Sequence, residues 1–584
     1  MHGLHNRVLR VDLTTRASTV EPVSDDVLRQ YLGGKGLAAH LLSQIAPAGA
    51  DPLGPESPFV VATGPATATG LSPAGRHGLF AKSPLTGVFG ESYAGGHLAP
   101  KIVAAGYDAV VIEGASDSPV YLEISDQVVE FHDARELWGM DTYAAEKALL
   151  EAVGQRGAGA MAIGPAGENT VPFAVVGNDR GHQCGRTGMG AVMGSKRLKG
   201  IVFHGASERQ VFDPESIRGF ERGLRERGRD DAGVQAYREL GTPMVVAFTN
   251  TAGAFPSYYW SRGEVPFWEE ISAEILVERF QPRSRACQGC FIACRKLSTV
   301  RAGRHAGLTL EGPEYETIYA FGGLCAVDDL AEILHLNDLC DRLGLDTITA
   351  GNVAGLAIEA SRRGALPFDL GIDYGDVDGI AGLLRRVAER RGAGNVMAGG
   401  VRAMSEEWGL EDIAVHVKGL EPAGFEPRAL KGMGLAYAVS DRGACHLRAT
   451  VYKAELAGWV DPAETEGKAE LVLDFEDRHT VFDTLIFCRF YRDMLGWEEL
   501  PVVIRGLTGL EMDKEALRAL SARIANTIRE YNLREGMTAE ADTLPARLLR
   551  EPLEPGGQSL SREELERMLQ DYYVLRGWDD APQP

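Results

Sequence analysis

The chain has 584 residues, 45% hydrophobic and 24% charged, with a formal net charge of −22. That length suggests two to four domains and allows a sizeable core without covalent staples. So acidic a chain argues against nucleic acid or an anionic membrane as partner. Eight cysteines form no evident disulfide framework. The start, MHGLHNRVLRVDLTT, has no apolar signal core, and no stretch approaches about 18 uninterrupted apolar residues. A cytoplasmic protein is therefore expected.

In chain order, the first 210 residues read as strands closed by glycine or proline. RVLRVDLTT alternates, with Leu9, Val11 and Leu13 on one face. FVVATGP, AVVIEG, AMAIGP and GIVFHG follow, with glycine-rich loops between them. Two similar runs end at Gly64-Pro65 and Gly164-Pro165, which hints at internal pseudo-symmetry. From about 211 helical periodicity takes over. Asp329 followed by Glu332 marks a helix start, Leu330, Ile333, Leu334 and Leu343 form its buried stripe, and Gly344 caps its end. After about 420 the pattern is again mainly helical, and QDYYVLRGWDDAPQP is expected to fray as a polar tail. The fold class is α+β, in three parts: residues 1–210, 211–420 and 421–584.

CQGCFIAC places Cys287, Cys290 and Cys294 within eight positions. Thiolates are soft ligands for zinc or iron–sulfur clusters. No second nearby pair completes a zinc site, so the spacing favours a [4Fe–4S] cluster with a distant fourth ligand. Cys184, Cys325, Cys340, Cys445 and Cys488 are the candidates. Two further segments are related: DRLGLD (Asp341 to Asp346) and DTLIFC (Asp483 to Cys488). Each sets an acid at the end of an apolar helix, then a turn, then a polar residue. Carboxylates accept hydrogen bonds well from a nitrogen heterocycle, so the pair could grip two copies of one ligand.

YLGGKGLAAHLL, AGRHGLFAKSPLTGVFGES, AGYDAVVIEG, GRTGMGAVMGSKRLKG, CQGCFIACRK, GPEYET, NDLCDRLGLDT and DRGACHLRA occur in this order. On these motifs the chain resembles, along essentially its whole length, the tungsten-containing aldehyde:ferredoxin oxidoreductases. The resemblance implies a tungsten (or molybdenum) bis-pyranopterin beside one [4Fe–4S] cluster, held where an N-terminal sheet-rich base domain meets two mainly helical domains. By the same resemblance Cys287, Cys290, Cys294 and Cys488 hold the cluster. Asp341, Leu345 and Asp346 match one pterin motif. Asp483, Phe487 and Cys488, with Arg489 beside them, match the other, although Ile486-Phe487 stands where Gly-Leu is common. Arg442 and Arg448 match basic residues near the pterin phosphates. Arg76, Tyr93, Gly95 and the stretch Gln183, Gly185, Arg186 match base-domain contacts. The family commonly has Asn at Tyr93 and Arg at His182. That Asn and the backbone carbonyl at Gln183 would help bind a Mg2+ bridging the pterin phosphates, so the Mg2+ ligands here are altered.

The resemblance implies oxidation of a small aldehyde to the acid with water, with ferredoxin or a partner electron-transfer subunit as acceptor, in a homodimer or hetero-oligomer. Glu316 matches the active-site carboxylate and is assigned general base, with Glu314 as alternative. His446 matches a histidine that hydrogen-bonds the carbonyl oxygen. FPSYYW (Phe255 to Trp260) is an expected aromatic wall for the substrate. Two alternatives stand beside this reading. Cys325 could ligate the metal, as in the related benzoyl-CoA ring reductases. The departures at Tyr93, His182 and Ile486 could instead mark a cofactor-deficient scaffold.

Overall fold

Alternation builds the first strands as expected. The computed structural model describes residues 1–578. Strand β1 (Arg7–Asp12) pairs antiparallel with β2 (Ala17–Pro22) and parallel with β6 (Ala109–Glu113). β3 (Phe59–Ala62), β4 (His77–Lys82) and β5 (Phe89–Ala94) complete a six-stranded sheet of order β2-β1-β6-β3-β4-β5. The next six strands are β7 (Val120–Ile124), β8 (Val129–Asp133), β9 (Gly159–Ala162), β10 (Val176–Asn178), β11 (His182–Cys184) and β12 (Leu198–Phe203). They form a second sheet of order β11-β10-β9-β12-β7-β8. Read from its other edge, the second sheet repeats the strand order of the first.

Two-residue periodicity sorts the side chains of these strands. Leu9, Val61, Leu79 and Val110 of the first sheet share a core with Leu122, Met161 and Ile201 of the second. Val8, Val60, Phe80 and Val111, on the opposite face, pack against Phe482, Leu485, Phe487 and Ile524 from the C-terminal part. Each fully buried side chain of this kind contributes roughly 1.5–3 kcal/mol.

Helix α1 (Gly34–Ile45) covers the first sheet. In the second part, α2 (Pro214–Arg229) and α3 (Ala232–Leu240) precede a three-stranded antiparallel sheet that the sequence did not reveal. Its strands are β13 (Arg283–Arg285), β14 (Arg295–Thr299) and β15 (Thr309–Glu311), and the cysteine segment is the loop between β13 and β14. Helix α4 (Leu330–Leu343) starts at Asp329, whose side chain accepts from the Ala331 amide, and ends at Gly344 with φ 77°. Asp346 then caps α5 (Thr347–Arg362). In the third part α6 (Lys468–Leu485) packs against α7 (Lys514–Arg534) and α8 (Arg562–Arg576).

The expected C-terminal fraying is corrected. Gln570 to Arg576 belong to α8, the Tyr572 ring is buried, and its hydroxyl donates to Glu476 at 2.5 Å. Arg576 bridges Glu476 and Asp477 at 2.5 and 2.7 Å. The last six positions of that expected tail lie outside the described residues. Among the described residues no helix is long and apolar enough to cross a membrane.

The internal repeat positions the two aspartate motifs. Gly64 and Gly164 follow equivalent strands, β3 and β9. A Cβ on Gly64 would fall 2.2 Å from the Leu485 carbonyl oxygen, and one on Gly164 would fall 2.7 Å from that of Leu343. Each turn thus presses against the last residue of one motif helix, α6 or α4, and tolerates no side chain there.

Candidate active site

The three parts meet around a cavity of about 390 Å3. Its wall takes Arg76, Tyr93, Gly95, Gln183, Gly185 and Arg186 from the sheet part. It takes Cys287, Cys290, Cys294, Glu316, Asp341, Leu345 and Asp346 from the second part. Arg442, His446, Cys488 and Arg489 come from the third. The wall does not include Arg448, Asp483 or Phe487.

All four cysteines of the sequence reading reach this cavity, from segments nearly 200 residues apart. Hydrogen bonds fix the loop: the Gln288 amide donates to Gly96 at 2.9 Å, and the Cys488 amide to Pro73 at 2.9 Å. The Tyr491 hydroxyl lies 3.2 Å from Cys290 Sγ. Gly95 has to be glycine, since a Cβ there would sit 2.7 Å from Cys287 Sγ. Burial pushes the Cys287 thiol up to about 11 and raises Cys290 and Cys294 too, with the other thiols adding to the effect. Among the described residues no three cysteine sulfurs lie mutually within 4.8 Å.

The first aspartate motif faces the cavity. Asp341 accepts from Asn337 at 2.9 Å, Tyr143 at 3.2 Å and Gln183 at 3.3 Å. Burial raises its carboxyl to about 7. Asp346 pairs with Arg186 at 3.3 Å, and Gly185 passes so close that a Cβ would lie 2.9 Å from Asp346 Oδ1. The second motif has the same backbone turn and a different side-chain setting. Asp483 sits behind the wall, bridged to Arg448 at 2.6 Å and Arg489 at 2.7 Å. Phe487 packs edge-on against Phe482 in the core.

Behind the wall lies a residue that sequence reasoning missed. Glu91 is fully buried and contacts Arg448, Lys35 at 3.1 Å and the Tyr93 hydroxyl at 2.6 Å. Its backbone carbonyl accepts from Arg442. Burial alone would raise its carboxyl, but Arg448, Lys35, Arg442 and the Tyr93 hydroxyl together hold it well below the ordinary range. Glu91 and Tyr93 are two apart on β5 and share a face, the one sequence signal that could have paired them. Lys35 also reaches Asp441 at 2.7 Å. This network leaves donors unused: Arg76 Nε, Arg442 Nε, Arg448 Nε and Arg489 Nη1 are buried without a partner. Buried guanidinium N–H groups call for anionic acceptors, and phosphate oxygens match them.

His182 contacts Glu311 at 3.5 Å. Burial, then Arg295 beside it, lowers its basicity far below that of free histidine. Arg295 also lines the cavity, pairs with Glu311 at 3.3 Å and donates to the Gly181 carbonyl at 2.5 Å. A guanidinium thus occupies this corner from β14, although His182 itself carries none.

Glu316 and His446 face each other, with Glu316 Oε1 3.5 Å from His446 Nε2. Glu316 Oε2 accepts from the Gly424 amide at 2.9 Å, and Oε1 is buried with no hydrogen-bond partner. Burial raises this carboxyl to about 8. Burial and the surrounding Arg186, Arg442 and Arg448 keep His446 neutral. Glu314 is occupied otherwise: it accepts from Thr242 at 2.6 Å and lies 3.7 Å from Arg295.

One expectation is corrected, and one open alternative loses its residue. Phe255, Tyr259 and Trp260 are buried in the core and do not line the cavity; Trp260 donates to Asn352 at 2.9 Å. The aromatic wall is Tyr315, Phe425 and Tyr452, with Phe425 stacked on Tyr452 at 3.8 Å and 5.7 Å from the His446 ring. Cys325 is buried away from the cavity, with its thiol 3.4 Å from the Gly351 carbonyl.

Comparisons with known proteins agree with this layout. Residues 8–205 match the description "Aldehyde ferredoxin oxidoreductase, N-terminal domain", and residues 221–584 match "Aldehyde ferredoxin oxidoreductase, domains 2 & 3". The tungsten-containing aldehyde ferredoxin oxidoreductase of Pyrococcus furiosus is 33% identical over 99% of this chain and 97% of its own. That of Thermococcus kodakarensis is 34% identical at the same coverage. The WOR-like subunit of an aliphatic sulfonate oxidoreductase from Pyrococcus furiosus is 31% identical over 99% and 95%. The active-site complex BamBC of benzoyl coenzyme A reductase, solved with 1,5-dienoyl-CoA, shares the fold with a TM-score of 0.84. It is 24% identical and covers 99% of this chain and 95% of that one. Matched in order through both parts, this chain belongs to the aldehyde ferredoxin oxidoreductase family.

Proposed function

We propose that the chain is a tungsten (or molybdenum) bis-pyranopterin enzyme that oxidises aldehydes to carboxylic acids. The observation that carries this reading is the Glu316–His446 pair, which presents an unpartnered carboxylate oxygen to a cavity lined elsewhere by four cysteines. Four thiols around one cavity, three of them from a single short loop, suit a [4Fe–4S] cluster on Cys287, Cys290, Cys294 and Cys488. The unpartnered arginine donors suit pterin phosphates, with Arg76, Arg442 and Arg489 on the cavity side and Arg448 behind them. Asp341 and Asp346 line the cavity and would accept from one pterin ring. A Mg2+ ion would lack an amide oxygen at position 93, because Tyr93 offers none and spends its hydroxyl on Glu91.

A metal–pterin group held by Arg76, Arg442, Asp341 and Asp346 would supply a two-electron acceptor, and a cluster on the four cysteines would supply a one-electron relay. The chain does the acid–base work. Neutral His446 can donate from Nε2 to the aldehyde oxygen, and ionised Glu316 can take a proton from the attacking water. The balance is RCHO + H2O → RCOOH + 2 H+ + 2 e−. Phe425 and Tyr452 form an apolar wall that suits the R group. The ring-reductase alternative lacks its proposed residue, since Cys325 lies off the cavity.

The test is anaerobic turnover of purified protein with a panel of aldehydes and a viologen acceptor. Two viologens reduced per aldehyde consumed is the expected result. No reduction with any aldehyde, alongside turnover of benzoyl-CoA or a sulfonate, would overturn the aldehyde reading.

A further inference from the structure

Electrons leaving the cysteine cluster need a partner surface, and the charge pattern singles one out. Between Glu278 and Glu311 the chain has no Asp or Glu and seven Lys or Arg, although the whole carries −22. Four of the seven are engaged: Arg279 with Glu270 at 2.7 Å, Arg304 with Glu332 at 2.7 Å, Lys296 with the Arg238 carbonyl at 2.6 Å, and Arg295 inside the cavity; Arg301 is exposed in the loop between β14 and β15. Arg283 and Arg285 are different. They lie on β13, the open edge of the small sheet, and all three residues of that strand are exposed. The Ser284 hydroxyl points toward α3 and donates to the Arg238 carbonyl at 2.7 Å. By strand alternation Arg283 and Arg285 project from the opposite face. Neither has an ion pair among the described residues. Cys287 follows two positions later, and Gln288 and Gly289 are exposed. Two more guanidiniums clasp this loop: Arg225 donates to the Gly289 carbonyl at 2.8 Å and Arg238 to that of Phe291 at 2.7 Å.

We propose that the β13 edge, through Arg283 and Arg285, is the docking surface for a small acidic one-electron carrier protein. The inference rests on the redox reading above and adds the site and the charge of the partner. Each aldehyde releases two electrons, so two carriers dock in turn and each leaves reduced by one. Charge complementarity favours this occupant, because an acidic carrier is repelled by a chain of net charge −22 and meets two unpaired guanidiniums beside the cysteine loop here. The sign of the salt effect separates the two forces. Attraction at the edge makes affinity fall as salt rises; general repulsion makes it rise.

The experiment is an anaerobic calorimetric titration of the cofactor-loaded protein with an acidic [4Fe–4S] ferredoxin, at about 50 mM and about 300 mM salt. Wild-type chain is compared with R283E/R285E of equal iron content. The expected result is wild-type affinity that falls with salt, and a variant at least about tenfold weaker at low salt with a flattened salt dependence. Equal affinity of both chains, affinity that rises with salt, or no binding by the wild type overturns the proposal. So does a change in oligomeric mass without a change in carrier affinity, which would give the edge to a second copy of this chain. Binding is read without turnover, so failure of the aldehyde reading in the viologen assay remains a separate result.

Discussion

Ile486 and Gly344 hold the same left-handed backbone conformation at the ends of the two motif helices, at φ 57° and φ 77°. Glycine takes this position freely; a β-branched residue pays about 1–2 kcal/mol. Ile486 offsets the cost by packing, buried against Gly34. Both truncations, Ile486→Ala and Ile486→Gly, are expected to destabilise the chain. The glycine variant should be the more stable of the two by about 1 kcal/mol, reversing the usual order of Ala over Gly. Denaturant unfolding of the two variants checks this.

As the proposed base, Glu316 is expected to set the pH dependence. Its folded value, about 8, lies above the ordinary carboxylate value. The folded chain therefore holds this proton more tightly than the unfolded one. The stability linked to it is complete at low pH and is lost as pH rises through about 8. A base must be ionised, so turnover should rise with pH over the same range. Glu316→Gln should lower kcat by at least about 100-fold and remove this group's loss of stability at high pH. Rate profiles and melting curves between pH 5 and 9 read both effects.

Glu91 is expected to anchor the base of the site. Removing its charge leaves Lys35, Arg442 and Arg448 facing one another without their shared counter-ion. Glu91→Gln should cost about 3–5 kcal/mol, the usual penalty for breaking a buried ion pair. Tyr93→Phe removes one hydrogen bond to the same carboxylate and should cost only about 1–2 kcal/mol. Equal losses in the two variants would mean that the charges contribute nothing beyond the tyrosine.

The cysteines divide by position. Cys488→Ser should strip most of the iron from the chain. Cys325→Ser should leave iron and tungsten at wild-type levels, because its thiol donates to the Gly351 carbonyl in the core and does not line the cavity. Metal content of the two variants, measured side by side, decides it.

The parts of this protein written in local pattern were legible from sequence. Helix α4 could be read from the spacing of Leu330, Ile333 and Leu334 and from Gly344, because caps and periodicity are local. The Gly64-Pro65 and Gly164-Pro165 runs pointed to the repeat now visible as two sheets of one strand order. Long-range pairings were not legible. β13 and β15 are three residues each, too short to show alternation, and are recruited by β14. The Glu91 network joins positions 35, 91, 442 and 448, which no spacing rule connects. FPSYYW read equally well as pocket wall or core, and packing decided for core. The C-terminal helix was obscured by its polar face, while Tyr572 and Met568 supply the buried one.

The shared cavity is proposed to hold a metal–pterin group beside a four-iron cluster. Elemental analysis of anaerobically purified protein, from cells supplied with both tungstate and molybdate, measures this. About one tungsten or molybdenum and about four iron per chain are expected. Iron without either heavier metal would contradict it, and would make the buried Tyr93–Glu91 contact the first place to look.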